Sequence, residues 1–187
     1  DGGTYSIGIG VMAGQYSTAS YNIAIGNQAL AGTDSAAVTG GNNVAIGNQA
    51  LGQVTSGQNN TVVGMGGGTW SLTTGENNIY IGASASDSAA DVDNEIVIGQ
   101  GATGKGSNTV VLGNASTTVW LPYDDNGVDL GSAALSFKDA HIQGTLTVGT
   151  VTATNVAGTL STAAQTNVTS LGTLTALTVD DVAIDGK

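Results

Sequence analysis

The chain has 187 residues, of which 30 are glycine, one is proline and none is cysteine, and only 9% are Asp, Glu, Lys or Arg. Conventional soluble domains carry about a quarter charged residues, and one Phe and two Trp are too few to fill a thick core. The net charge of -11 excludes nucleic-acid binding, because nothing is present to neutralise a phosphate backbone. The lack of cysteine removes disulfides and thiolate chemistry.

Abundant β-branched residues argue against disorder, and glycines without a period of three argue against collagen. No apolar run approaches the ~18 residues of a spanning helix, so membrane insertion is not expected. A start at Asp1 is expected of a fragment or a processed product.

Before residue 114 a short phrase recurs: two branched aliphatics flank a middle residue and glycine follows. It reads Ile7-Gly8-Ile9-Gly10, Ile23-Ala24-Ile25-Gly26, Val44-Ala45-Ile46-Gly47 and Thr61-Val62-Val63-Gly64. It continues as Ile79-Tyr80-Ile81-Gly82, Ile96-Val97-Ile98-Gly99 and Val110-Val111-Leu112-Gly113. The closing glycines lie 16, 21, 17, 18, 17 and 14 residues apart.

Strand alternation puts the first and third residues on one face and the middle residue on the other. Both faces are small or apolar, so both need cover. One can fill the inside of a narrow coil, while the other requires a second strand layer or another copy of the chain. An exposed Tyr80 would count against this two-covered-faces reading.

Asparagine precedes most phrases, at Asn22, Asn43, Asn60, Asn78 and Asn108, where it supplies turn geometry and backbone hydrogen bonds. Three positions after the closing glycine come Ala13, Ala29, Ala50, Ala85 and Ala102, and Gly-Asn-Gln-Ala-Leu stands identically at 26–30 and 47–51. Repeats this small bury their apolar faces only against neighbours. Residues 1–121 are therefore expected to form a parallel β-roll or solenoid of about seven coils.

The stretch 27–43 exceeds one regular coil, and Gly66-Gly67-Gly68-Thr69-Trp70 interrupts another. Trp70 is either an exposed receptor contact or a cap holding its loop against the stack. Tyr5, Tyr16 and Tyr21 are expected to pack the open end.

Residues 122–143 read as a connector. Before it, Thr117–Leu121 is expected as a strand ending at Pro122, and Trp120, Leu135 and Phe137 as a small junction core. Ser132 to Ala140 is expected as a loop or a single helical turn. In 144–187 a second repeat begins with Gly144-Thr145-Leu146-Thr147, Gly158-Thr159-Leu160-Ser161 and Gly172-Thr173-Leu174-Thr175, 14 residues apart. Threonine alternating with Leu or Val is a half-buried strand pattern, and three such chains about one axis would make a thin shaft.

Material for catalysis is sparse. His141 is the single histidine, so triads and histidine metal sites lack partners, and a structural role is expected. The acidic clusters Asp87, Asp91, Asp93 with Glu95, and Asp124, Asp125 with Asp129, read first as solvated turns. They are also candidate calcium ligands, although neither has the spacing of a helix-loop-helix site. Paired carboxylates of a glycosidase are a third reading. Gly66-Gly67-Gly68 lacks the Lys-Ser/Thr of a phosphate loop.

Asn22-Ile23-Ala24-Ile25-Gly26 and Asn43-Val44-Ala45-Ile46-Gly47, with Ala29 and Ala50, resemble the head repeats of trimeric autotransporter adhesins over about residues 5–113. That resemblance implies a left-handed parallel β-roll, three copies of which pack about an axis. Asp129-Leu130-Gly131-Ser132, Phe137 to Ile142 and Gly144 to Val148 resemble the pre-shaft connector of bacteriophage tail fibres. The stretch from Gly158 to Leu174 resembles their shaft phrase. This implies a homotrimer with an intertwined triple-stranded β shaft.

Together these features give an expected all-β, non-enzymatic component of a phage tail fibre or similar virion appendage. Its expected partners are other tail or baseplate proteins and a host-surface glycan or protein, with no cofactor unless calcium binds. The alternatives are a bacterial trimeric adhesin head at the cell surface and a polysaccharide-degrading fibre enzyme. The insertion loops 31–41, 66–74 and 84–93 are the expected recognition surfaces.

Overall fold

Each copy of the phrase becomes a three-residue strand: β1 (Ile7–Ile9), β2 (Ile23–Ile25), β3 (Val44–Ile46), β4 (Thr61–Val63), β5 (Ile79–Ile81), β6 (Ile96–Ile98) and β7 (Val110–Leu112). A computed structural model describes residues 6–32, 36–68, 71–123, 129–132 and 134–147, and there is no helix among them. The strands stack in chain order as one parallel seven-stranded sheet. Equivalent residues pair directly, as in Ala24 with Ala45 and Tyr80 with Val97. The chain divides into two compact units, Asp1–Val128 and Asp129–Lys187.

Glycine ends each strand because the corner requires it. Gly26 has φ +132°, and a Cβ there would lie 2.5 Å from the carbonyl oxygen of Gly47 in the next coil. Side chains are excluded both by the backbone conformation and by the closeness of the stack.

The middle residue of each strand points into the coil. Ala24, Ala45, Val62, Tyr80 and Val97 are buried, and Ala29, Ala50, Ala85 and Ala102 pack with them. Volume is traded between neighbouring coils. Leu30 and Leu51 fill one side of the interior in the second and third coils. The corresponding position of the fourth coil is Gly68, where a Cβ would lie 3.3 Å from Val62 and 3.4 Å from the Tyr80 ring. A larger middle side chain thus takes the space a corner leucine fills elsewhere, as close packing demands. The two Gly-Asn-Gln-Ala-Leu segments lie one above the other, with Asn48 Nδ2 donating to Asn27 Oδ1 and Gln49 Nε2 to Gln28 Oε1, both at 3.1 Å.

Inside the coil, Asn22, Asn43, Asn60 and Asn78 form a buried ladder. Each side-chain oxygen accepts the backbone N–H of the next ladder residue at 2.8–3.0 Å. The amide nitrogens donate to turn carbonyls, such as Asn60 Nδ2 to Gly75 O at 2.8 Å. Polar backbone that the turns would otherwise bury unpaired is satisfied in this way.

Several expectations are corrected. Asn108 does not belong to the inner ladder: Thr109 precedes β7, and Asn108 joins Asn42, Asn59, Asn77 and Asn94 in an outer row with φ of 56–63°. Asparagine tolerates that left-handed conformation better than most residues. Thr117–Leu121 is not a strand. A turn precedes it, with Asn114 N donating to Thr117 Oγ1. Trp120 is exposed, as are Leu135 and Phe137 in the second unit, so none is a core side chain. Of the two alternatives for Ser132 to Ala140, the described residues form the loop and no helical turn. Tyr21 is exposed and Tyr16 partly buried. Tyr5 and the expected shaft beyond Thr147 lie outside the described residues.

Candidate functional site

Three features of the first unit stand out against the repeat. One is the outer sheet face. The first and third strand positions point away from the coil interior, and every one is Ile, Val or Leu except Thr61. Ile9 is 58% exposed, and Val63, Ile81, Ile98, Val110 and Leu112 are also exposed. At ~4.8 Å per coil this is a ribbon about 29 Å long and about 10 Å wide. Its area, on the order of 300 Å², is that of the largest apolar patches monomers show, which are often functional. Tyr80 is buried, so the middle face is the one that fills the coil, and the first-and-third face is the one the coil leaves without cover.

The second feature is a buried carboxylate. Glu95 takes the inner-ladder position after Asn78 and is 0% exposed. Its Oε1 accepts from Ser88 Oγ at 2.9 Å and Gly106 N at 2.8 Å. Its Oε2 accepts from Tyr80 Oη at 3.0 Å and Ser88 N at 3.3 Å. Burial, then the charge of Glu95 and its hydrogen bond, and finally the charge of Asp87, push the Tyr80 phenol well above its ordinary range. Asp87 is also buried. One carboxylate oxygen accepts from Ser71 Oγ, while Oδ1 has no hydrogen-bond partner among the described residues. Asp87 and Glu95 are therefore not the solvated turn residues their hydrophilic neighbours suggest.

The other acidic candidates behave differently. Asp91 is exposed, and so is Asp129 in the second unit. Asp93 is exposed but holds a turn, accepting from Glu76 N at 2.8 Å. Asp124 and Asp125 lie outside the described residues, as does Trp70. Among the described residues no three His, Cys, Asp or Glu side chains come together as a metal site. His141 is exposed.

The third feature is a groove of about 630 Å³ along one corner of the stack. Gln28, Asn48, Gln49, Gln53, Met65 and Ser84 contribute its side chains, over a floor that includes Gly32, Gly52 and Gly66. It lies at the roots of the three expected recognition loops, since Gly32, Gly66 and Ser84 belong to them. Sequence reasoning named the loops but missed the amides. The repeated Gly-Asn-Gln-Ala-Leu was the available signal, because identical polar residues in successive coils must form rows.

No helix among the described residues is long and apolar enough to cross a membrane. No family model matches the chain, and neither a curated protein nor a solved structure is significantly similar to it.

Proposed function

We propose that the chain is a non-enzymatic structural segment of a homotrimeric fibre, a phage tail fibre or similar virion appendage, that supports or provides attachment to a host surface. In this reading the solenoid is a left-handed roll, the stretch after it a connector, and residues 144–187 an intertwined shaft. Other tail or baseplate proteins hold the assembly, and a host glycan or protein is its target.

The exposed aliphatic ribbon supports this reading. Side chains that alternate inward in a narrow coil must alternate outward as well, and the outward set here is apolar at every position but Thr61. Burying such a surface gains about 25 cal/mol per Å², and closed symmetry lets identical ribbons cover one another. Threefold presentation would add weak contacts into firm attachment.

Native mass by light scattering after size exclusion, with and without a chelator, tests the proposal. About three times the 18.2 kDa chain mass is expected of a closed trimer. Loss of that trimer on chelation would make calcium a structural ion. A folded monomer would overturn the fibre reading.

A further inference from the structure

We infer that the corner groove is a binding site for a short, neutral oligosaccharide. This deepens the attachment reading by naming a ligand class for its recognition surface.

The groove has the size of a small-molecule site, which runs from about 300 to about 1,000 Å³. It is long rather than deep. Its side chains come from the second to the fifth coil, a span of about 14 Å at ~4.8 Å per coil. That shape takes a linear ligand lying along the stack.

Its chemistry is that of uncharged hydrogen bonding. Gln28, Asn48, Gln49 and Gln53 are amides, and each offers both donors and an acceptor oxygen, while Ser84 adds a hydroxyl. Sugar hydroxyls also donate and accept, so each ring can be held by paired exchanges. The amide rows are polarised: Asn48 and Gln49 donate toward the coil before them. The next coil has Met65 and Gly66 in those register positions, so no side-chain amide stands above Asn48 and Gln49 to donate in return. Their outward oxygens are placed to accept from ligand hydroxyls. Met65 is 58% exposed and offers an apolar wall for the C–H face of a ring.

Charge selects among sugars. Among the described residues no acidic or basic side chain lines the groove, and the chain carries -11 overall. Sialylated or uronate chains would find no cation and a repulsive field. A peptide would require more apolar anchors than Ala31 and Met65 supply among the described residues.

The test is titration of the full chain by saturation-transfer NMR and calorimetry. The probes are di- to tetrasaccharides of glucose, galactose, mannose and N-acetylglucosamine, beside sialyllactose and oligogalacturonate. Saturable binding of at least one neutral series is expected, weakened about tenfold or more in Asn48→Ala/Gln53→Ala. Both residues are exposed, so this variant should melt like the parent. Gln49→Gly, which suits the left-handed backbone at φ 58°, removes a third amide without strain and should also weaken binding. No binding by any neutral probe, a preference for the anionic probes, or full affinity in both variants would overturn the site. A trimer that binds no sugar would defeat this inference alone, and a monomer that binds sugar would defeat the fibre reading alone.

Discussion

Tyr80 Oη donates a 3.0 Å hydrogen bond to Glu95 Oε2 within the solenoid interior, and both residues are fully buried. Tyr80 stands where other coils have glycine, alanine or valine, and Glu95 stands where the second to fifth coils have asparagine. A third departure completes the group: a Cβ at Gly104 would overlap the Glu95 carboxylate. A buried phenol needs an acceptor and a buried carboxylate needs donors, so these irregularities form one polar unit. Tyr80→Phe should cost about 1–3 kcal/mol by leaving Glu95 short of a donor, and Tyr80→Ala more, about 3–5 kcal/mol. Urea denaturation measures both, and an unchanged midpoint for Tyr80→Phe would mean the pair contributes nothing.

The same pair sets an alkaline limit. The phenol is raised above its ordinary range in the folded chain, while the unfolded chain ionises it near pH 10. Above that pH the unfolded state binds fewer protons than the native state, so stability is complete below about pH 10 and declines as pH rises further. Urea midpoints at about pH 8 and about pH 11 should differ less in Tyr80→Phe than in the parent. Equal slopes in the two proteins would disprove the linkage.

The inner ladder should outweigh the outer one. Asn60→Ala strands the N–H of Asn78 and the carbonyl of Gly75, at about 1–3 kcal/mol for each buried group left unpaired. Asn59 is exposed, with φ 57°. Asn59→Gly should be nearly neutral, because glycine accepts that conformation. Thermal melting of the two variants side by side decides the matter, and comparable losses would contradict the ladder's role.

Corner glycines are likewise unequal. Gly26→Ala meets the Gly47 carbonyl and a forbidden φ together, and should cost several kcal/mol, beyond the ~1–3 kcal/mol of backbone strain alone. At Gly101, with φ +62°, a Cβ would have nothing within 4 Å. Gly101→Ala should therefore cost only about 1 kcal/mol. Circular dichroism melts check this ordering.

The outer ribbon yields a prediction about assembly rather than folding. Ile81→Glu places a charge on the exposed face without touching the interior. Light scattering should show the native mass falling toward the 18.2 kDa of one chain while the melting curve stays cooperative. An assembled variant would remove the ribbon from the proposed interface.

The stacked coils were legible in the sequence because a parallel stack repeats its chemistry at every level. The branched-aliphatic phrase, the closing glycine and the corner alanine each recur, and each maps to a strand, a positive-φ corner and a buried contact. Strand alternation showed that the two faces differ. Which face is interior was left open, since both are apolar, and coil width decided it: only the single middle residue of a three-residue strand fits inside. The sequence also identified Asp87 and Glu95 as acidic residues in a polar stretch, whereas burial follows from their places in the coil. Ser88, Gly106 and Tyr80 converge on Glu95 only after successive turns are stacked. The groove has the same origin: Gln28, Gln49, Met65 and Ser84 come from four successive coils of the chain, and tertiary stacking brings them to one corner at ~4.8 Å intervals.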